Sequence, residues 1–123
     1  MTLTEARQGL ADVLSTVEGL DVRARPTVLT PRAGDGWVVV TRLVPADFTS
    51  CAATLTAVVI LGPEVARAEE LLEMYGVAAV DAVTGSDLHA AGVSLEAQAL
   101  IAGSPATPLY AFALTVTLPV AVA

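Results

Sequence analysis

The 123-residue chain has no lysine and no asparagine, one cysteine, one histidine, one tryptophan and only 15% charged residues. Each shortage excludes something. Without lysine, no Gly-rich loop can carry the Lys of a phosphate-binding P-loop, and Gly34-Asp35-Gly36 reads as a turn. With Cys51 alone, no internal disulfide can form and nothing points to an oxidising compartment. Cys51 stands among small and apolar neighbours with no charged residue to make it a thiolate, so it is expected to be a buried structural cysteine. One histidine supplies no zinc ligand set. Five aromatic residues, Trp37, Phe48, Tyr75, Tyr110 and Phe112, do not interleave with basic residues, as a base-stacking platform would require. They are expected to be core or interface anchors. All six cations are arginine, and together with the missing Lys and Asn this matches the bias of GC-rich coding rather than a binding site.

What is present is apolar and acidic. Hydrophobic residues make up 54% of the chain, enough for one domain over residues 1–123 to bury a core without staples. Thirteen acids against six arginines give a formal charge of −7, which argues against sequence-specific nucleic acid as a partner. The first residues lack a basic region, and Glu5, Arg7, Gln8 and Asp12 interrupt the apolar run, so a helix is expected there rather than a signal peptide. From Ala97 to Ala123, 27 residues carry no charge, longer than the roughly 20 of a membrane helix. Gly103, Pro105, Pro108 and Pro119 break that run, and two strands joined by a turn explain it better than a membrane span.

Thr2-Leu3-Thr4-Glu5 forms a capping-box pattern, and Leu3, Ala6, Leu10, Val13, Leu14 and Val17 recur on one helical face. A short edge-like strand is expected from Val22 to Thr30, interrupted by Pro26. After the turn Pro31–Gly36, Trp37–Val44 is apolar on both faces and reads as a central strand. Thr49–Leu61 follows as thirteen β-prone residues, on the order of 43 Å if extended. That length suggests a hairpin projecting beyond the body of the domain. Gly62-Pro63-Glu64 opens a second helix with Pro at its first position. Val65, Ala68, Leu71, Leu72 and Tyr75 form its apolar stripe, and Gly76 either ends it or sits inside a helix reaching Val83. Gly92–Ile101 and Leu109–Leu118 alternate as two antiparallel strands. The expected class is α+β: a mixed, mainly antiparallel sheet with a long central hairpin, packed against two helices.

No constellation of side chains suggests catalysis, a cofactor or a metal. His89 beside Asp87 is the one acid–base pair to consider, and no activated Ser or Cys accompanies it. Glu69, Glu70 and Glu73 lack the loop cage of a calcium site and read as a solvated helix face. Charge is unevenly spread. Residues 1–62 hold five arginines and six acids, whereas residues 63–123 hold Arg67 and seven acids, about −1 against −6. An Arg-rich edge carrying Arg23, Arg25, Arg32 and Arg42, and an acidic helix carrying Glu64, Glu69, Glu70 and Glu73, would suit head-to-tail contacts between copies of the chain.

The element order resembles the tail terminator (tail completion) proteins of long-tailed, siphophage-type bacteriophages across the whole chain. The resemblance rests on the opening helix Leu3 to Val17, the Arg25-Pro26 entry into the sheet, the hairpin Trp37 to Leu61, the helix after Gly62-Pro63-Glu64 and the closing segment Pro108 to Val116. It implies a small structural protein, not an enzyme, that assembles as a hexameric ring and caps the tail tube. Such a ring stops polymerisation and offers the surface to which the head attaches. It also implies the tail tube protein and neck or connector proteins as partners, no cofactor, no membrane, and a place in the virion after assembly in the host cytoplasm. Two alternatives remain open: a head-to-tail connector or stopper of the neck, and a small bacterial ligand-binding α+β domain with a pocket between helix and sheet.

Overall fold

A computed structural model of the chain describes residues 1–26, 32–88, 90–102 and 107–121. Helix α1 spans Leu3–Ser15, and its capping box forms as the sequence implies: the Glu5 amide donates to Thr2 Oγ1 at 3.2 Å and the Thr2 amide to Glu5 Oε1 at 3.1 Å. The strands are β1 (Asp21–Arg23), β2 (Asp35–Pro45), β3 (Ser50–Gly62), β4 (Gly92–Ala102) and β5 (Thr107–Ala121). Between β3 and β4 run α2 (Val65–Leu71), one π turn (Leu72–Gly76) and α3 (Val77–Thr84), which continue into one another.

The sheet has the order β1-β2-β3-β5-β4. β1 is parallel to β2, and every other neighbouring pair is antiparallel. This is the mixed, mainly antiparallel sheet with helices that the hydrophobic patterning predicts. Alternation then sorts the side chains. Val38, Leu55, Ala57, Val59, Phe112, Leu114, Val116 and Leu118 point to one face, where Ala6, Leu10 and Leu14 of α1 and Ala68, Leu71, Ala79 and Val83 of the second helical segment close the core. Tyr75, Leu95 and Tyr110 pack at its margin.

Four details differ from the sequence-based expectation, each for a local reason. The first strand is three residues long, not nine, and Thr27–Thr30 lie outside the described residues. Beyond Arg23 the ladder is closed by a side chain: the Arg7 guanidinium donates to the carbonyl oxygens of Ala24 and Val38, both at 3.3 Å. A short β1 leaves β2 next to the edge rather than at the centre, which belongs to β3. Pro63 precedes the second helix instead of opening it. Gly62, at φ +105° beside a bulge, turns the chain so that Glu64 becomes the N-cap, and Val65 faces out with 53% of its surface exposed. Cys51 is half-buried at the core margin, not enclosed, because it is the second residue of β3, next to the exposed hairpin turn.

Gly76 settles the open question about the helix, because α3 continues past it. A Cβ on Gly76 would stand 2.8 Å from Leu95 Cδ2, so its bare backbone is what lets the helical segment lie close on β4. β4 and β5 pair antiparallel, so the described part of the uncharged run forms sheet. No helix among the described residues is long and apolar enough to cross a membrane.

Candidate functional site

Two surfaces carry the residues singled out by charge. On the β1 side, Thr4, Arg7 and Gln8 of α1 and Val22 to Arg25 line a shallow groove of about 440 Å³. Arg23 and Arg25 are exposed on its rim, and Arg23 lies 3.8 Å from Asp21. Arg32, just before β2, makes a 3.3 Å ion pair with Asp35, the buried charged residue of the described structure. Arg42 stands apart, exposed on the half of β2 that runs beyond β1. The structure therefore gathers Arg23 and Arg25 with Arg7 and places Arg32 and Arg42 on the same flank of the sheet without joining them.

The acids lie elsewhere. Glu64 caps α2 without a side-chain hydrogen bond, and Glu69, Glu70 and Glu73 are exposed along α2 and the π turn. These elements lie over β3 and β5, with Leu61, Ala68, Leu72 and Tyr110 between them and Ala97 of β4 at the border. Glu70 is held by Arg67 at 3.0 Å. Such exposed pairs contribute at most about 1 kcal/mol each, so Arg23 and Glu70 remain able to exchange partners. The residues singled out by charge thus occupy different sides of the fold, Arg23 and Arg25 beside α1 on one and Glu64, Glu69, Glu70 and Glu73 along α2 and the π turn on the other, although α1 and β1 also carry Glu5, Asp12 and Asp21. That arrangement is what a head-to-tail contact needs and a two-fold contact does not.

The hairpin of β2 and β3 extends past the helices. From Thr41 to Asp47 every residue is exposed, and at the tip Leu43, Val44 and a fully exposed Phe48 offer apolar surface. Asp47 organises the turn: the backbone amide of Thr49, first, and its hydroxyl, second, donate to the carboxylate and hold its pKa below the usual aspartate value. A gap of about 300 Å³ at this end is lined by Met1, Ser50, Leu88 and Val120.

The far face of the sheet carries a feature that the charge pattern did not suggest. Thr41, Thr56 and Thr115 stand in one row across β2, β3 and β5, with Oγ1 atoms 3.4 and 3.3 Å apart, and Ser94 of β4 continues the row. Thr54 and Thr117 form a second row at 3.5 Å. At one end of this face Val58, Ile60, Ala111 and Ala113 are buried outside the main core, with Trp37 half-buried beside Val58. The signal lay in the sequence as two Thr-x-Thr repeats, Thr54-Leu55-Thr56 and Thr115-Val116-Thr117, each on a strand whose other face is core.

His89 lies outside the described residues, so the pairing with Asp87 has no geometry here; Asp87 itself is exposed. No group of three or more His, Cys, Asp or Glu able to hold a metal occurs among the described residues. What fold and site define is a class: an α+β protein with helices on one sheet face, a protruding hairpin and an arginine cluster beside α1 set apart from the acidic surface of α2. No protein-family model matches the chain, and no curated protein is significantly similar to it.

Proposed function

We propose that the chain is a structural protein of a bacteriophage virion that assembles as a ring, a hexamer by its resemblance to tail terminators. The ring caps the tail tube, stops its polymerisation and presents the surface that receives the head. The observation that carries this reading is the separation of Arg23 and Arg25 beside α1 from Glu64, Glu69 and Glu73 on α2. Copies placed head to tail bring these surfaces together, and a rotation that closes gives a ring. The exposed hairpin tip supplies apolar surface for the tube or the neck. The work is stoichiometric: binding energy alone terminates growth.

The ligand-binding alternative has less to stand on. The space between α2 and the sheet is about 200 Å³, below the roughly 300–1,000 Å³ of small-molecule pockets, and the groove of about 440 Å³ between α1 and β1, though within that range, is shallow and rimmed by exposed arginines.

Light scattering on a sizing column, at low and high salt, tests the proposal. The wild type is expected to form a ring-sized species that salt loosens, because exposed charges are screened over about 8 Å at physiological ionic strength. Arg25→Glu or Glu73→Arg should weaken assembly and remove its salt dependence while leaving thermal stability within about 0.5 kcal/mol. A ring that ignores both reversals overturns the charge pairing. A ring that fails to cap purified tail tubes overturns the terminator role.

A further inference from the structure

Two unusual backbone features converge on one side chain. The π turn Leu72–Gly76 carries Tyr75, and Gly19, at φ +92°, leaves the space that Tyr75 fills: a Cβ on Gly19 would stand 3.0 Å from ring carbons of Tyr75 and closer still to its hydroxyl. Single π turns inside helices recur at functional sites. Here the two features shape a groove of about 520 Å³ between the end of α1 and the π turn, lined by Val17, Glu18, Gly19, Met74, Tyr75 and Ala78. The groove is open rather than enclosed, since Glu18, Gly19 and Met74 are exposed.

Its chemistry is that of a receptor for a cation on an apolar stem. Val17, Met74 and Tyr75 give apolar walls, Glu18 supplies a carboxylate, and Glu73 is exposed on the same π turn. No arginine lines the groove. A guanidinium suits such walls, because its flat face stacks on aromatic surface while its N–H groups reach a carboxylate. The chain itself carries such groups. Arg7 donates to the carbonyls of Ala24 and Val38, and Arg23, Arg32 and Arg67 have Asp21, Asp35 and Glu70 as partners. Arg25 and Arg42 are the exposed arginines left without an ion pair among the described residues, and Arg25 belongs to the charged surface beside α1. β1 runs back along α1, with the Ser15 hydroxyl bonded to Val22 and the Arg7 guanidinium to Ala24, so Arg25 lies level with Thr4 and Gln8. Arg25 and Glu18 therefore stand towards opposite ends of a helix about 20 Å long. Copies placed in line along α1 bring the two together.

We infer that this groove receives Arg25 of a second copy, with Tyr75 and Met74 against its guanidinium and Glu18 as its ion partner. The inference deepens the head-to-tail reading above and rests on its self-assembly, but not on the tail as the place of assembly. It moves the deciding acid from the middle of α2 to the end of α1. Each copy offers both donor and receiver, so the contact repeats from copy to copy until the rotation closes.

The test compares reversals at the two acidic places. By light scattering over a dilution series, Glu18→Arg and Arg25→Glu should each raise the concentration needed for assembly about tenfold, and the double exchange should restore it. Glu64→Arg, at the start of α2 and away from the groove, should change it less than about threefold. Thr4→Cys and Met74→Cys, each in a Cys51→Ser background, should be joined by a short bis-maleimide when the two variants are mixed, and neither should be joined to itself. Rings that dissolve with Glu64→Arg but ignore Glu18→Arg, or that give no cross-link, leave the ring reading standing and overturn the groove. A wild type that stays monomeric both alone and on tail tubes overturns the two together. If the cross-link forms and the exchange restores assembly in a protein that does not cap tubes, the groove stands and the tail reading falls.

Discussion

Glycine at position 34 shows how much one missing side chain can decide. Gly34 sits at φ +94° with its amide donating to Ile60 O at 2.8 Å and its carbonyl accepting from Asp21 at 2.9 Å, so one residue ties β1 and β3 to the entry of β2. A Cβ there would collide with the carbonyl oxygen of Gly19, itself at positive φ. Gly34→Ala is therefore expected to cost about 2 kcal/mol or more, a fall of roughly 8 °C in the thermal midpoint, since both backbone strain and contact oppose it. An unchanged melting curve would show that the loop relaxes freely. The turn was legible as Pro31–Gly36, but the need for a bare backbone was not, because Gly19 is fifteen positions away in sequence. Arg7 teaches the same lesson: its helical position was plain, while its role in closing the β1 ladder depends on carbonyls of Ala24 and Val38 that only the fold brings together.

Individual elements were read best where one physical cause sufficed. The capping box of α1 needed only four residues in order, and it carries a pH signature. The backbone amide of Thr2, then its hydroxyl, holds the Glu5 carboxyl below the usual glutamate pKa. A lowered folded-state pKa means that the contribution is complete above the unfolded value of about 4.3 and is lost as pH falls through the folded one. Glu5→Gln should therefore lower the melting temperature at pH 7 and make little difference well below pH 4, as thermal melts across that range would reveal. An equal loss at both ends would assign the effect to packing. Strand identity was likewise set by alternation from Gly92 onward. The start of the second helix was misplaced because its N-terminus depends on the Gly62 bulge, which pairing of β3 with β5 imposes.

Across the whole molecule, stability is expected to follow the order of strands. β3 and β5 are hydrogen-bonded on both sides and carry Leu55, Ala57, Leu114 and Val116, all fully enclosed. Amide exchange on dissociated protein should be slowest there and fastest among strand residues at the outer edges of β2 and β4. Slow exchange at the β4 edge of a verified monomer would mean that something within the chain covers it. Fold class was legible because hydrophobic alternation reports sheet faces directly. Which strands lie at the margins was not, since strand order is set by contacts between distant segments that leave no local pattern. For that reason Arg42 was grouped with Arg23 and Arg25 by sequence, although the sheet sets it farther along that margin, on the stretch of β2 that β1 does not cover.

The position of Trp37 has an optical consequence. It is the chain's one tryptophan, and it stands half-buried on the sheet face that the helices leave open. Its emission therefore samples that face and not the packed interior around Phe112. A shift in wavelength or in quenching by added iodide registers whatever comes to lie over the far side of the sheet, while rearrangements confined to the helical side leave the signal unaltered.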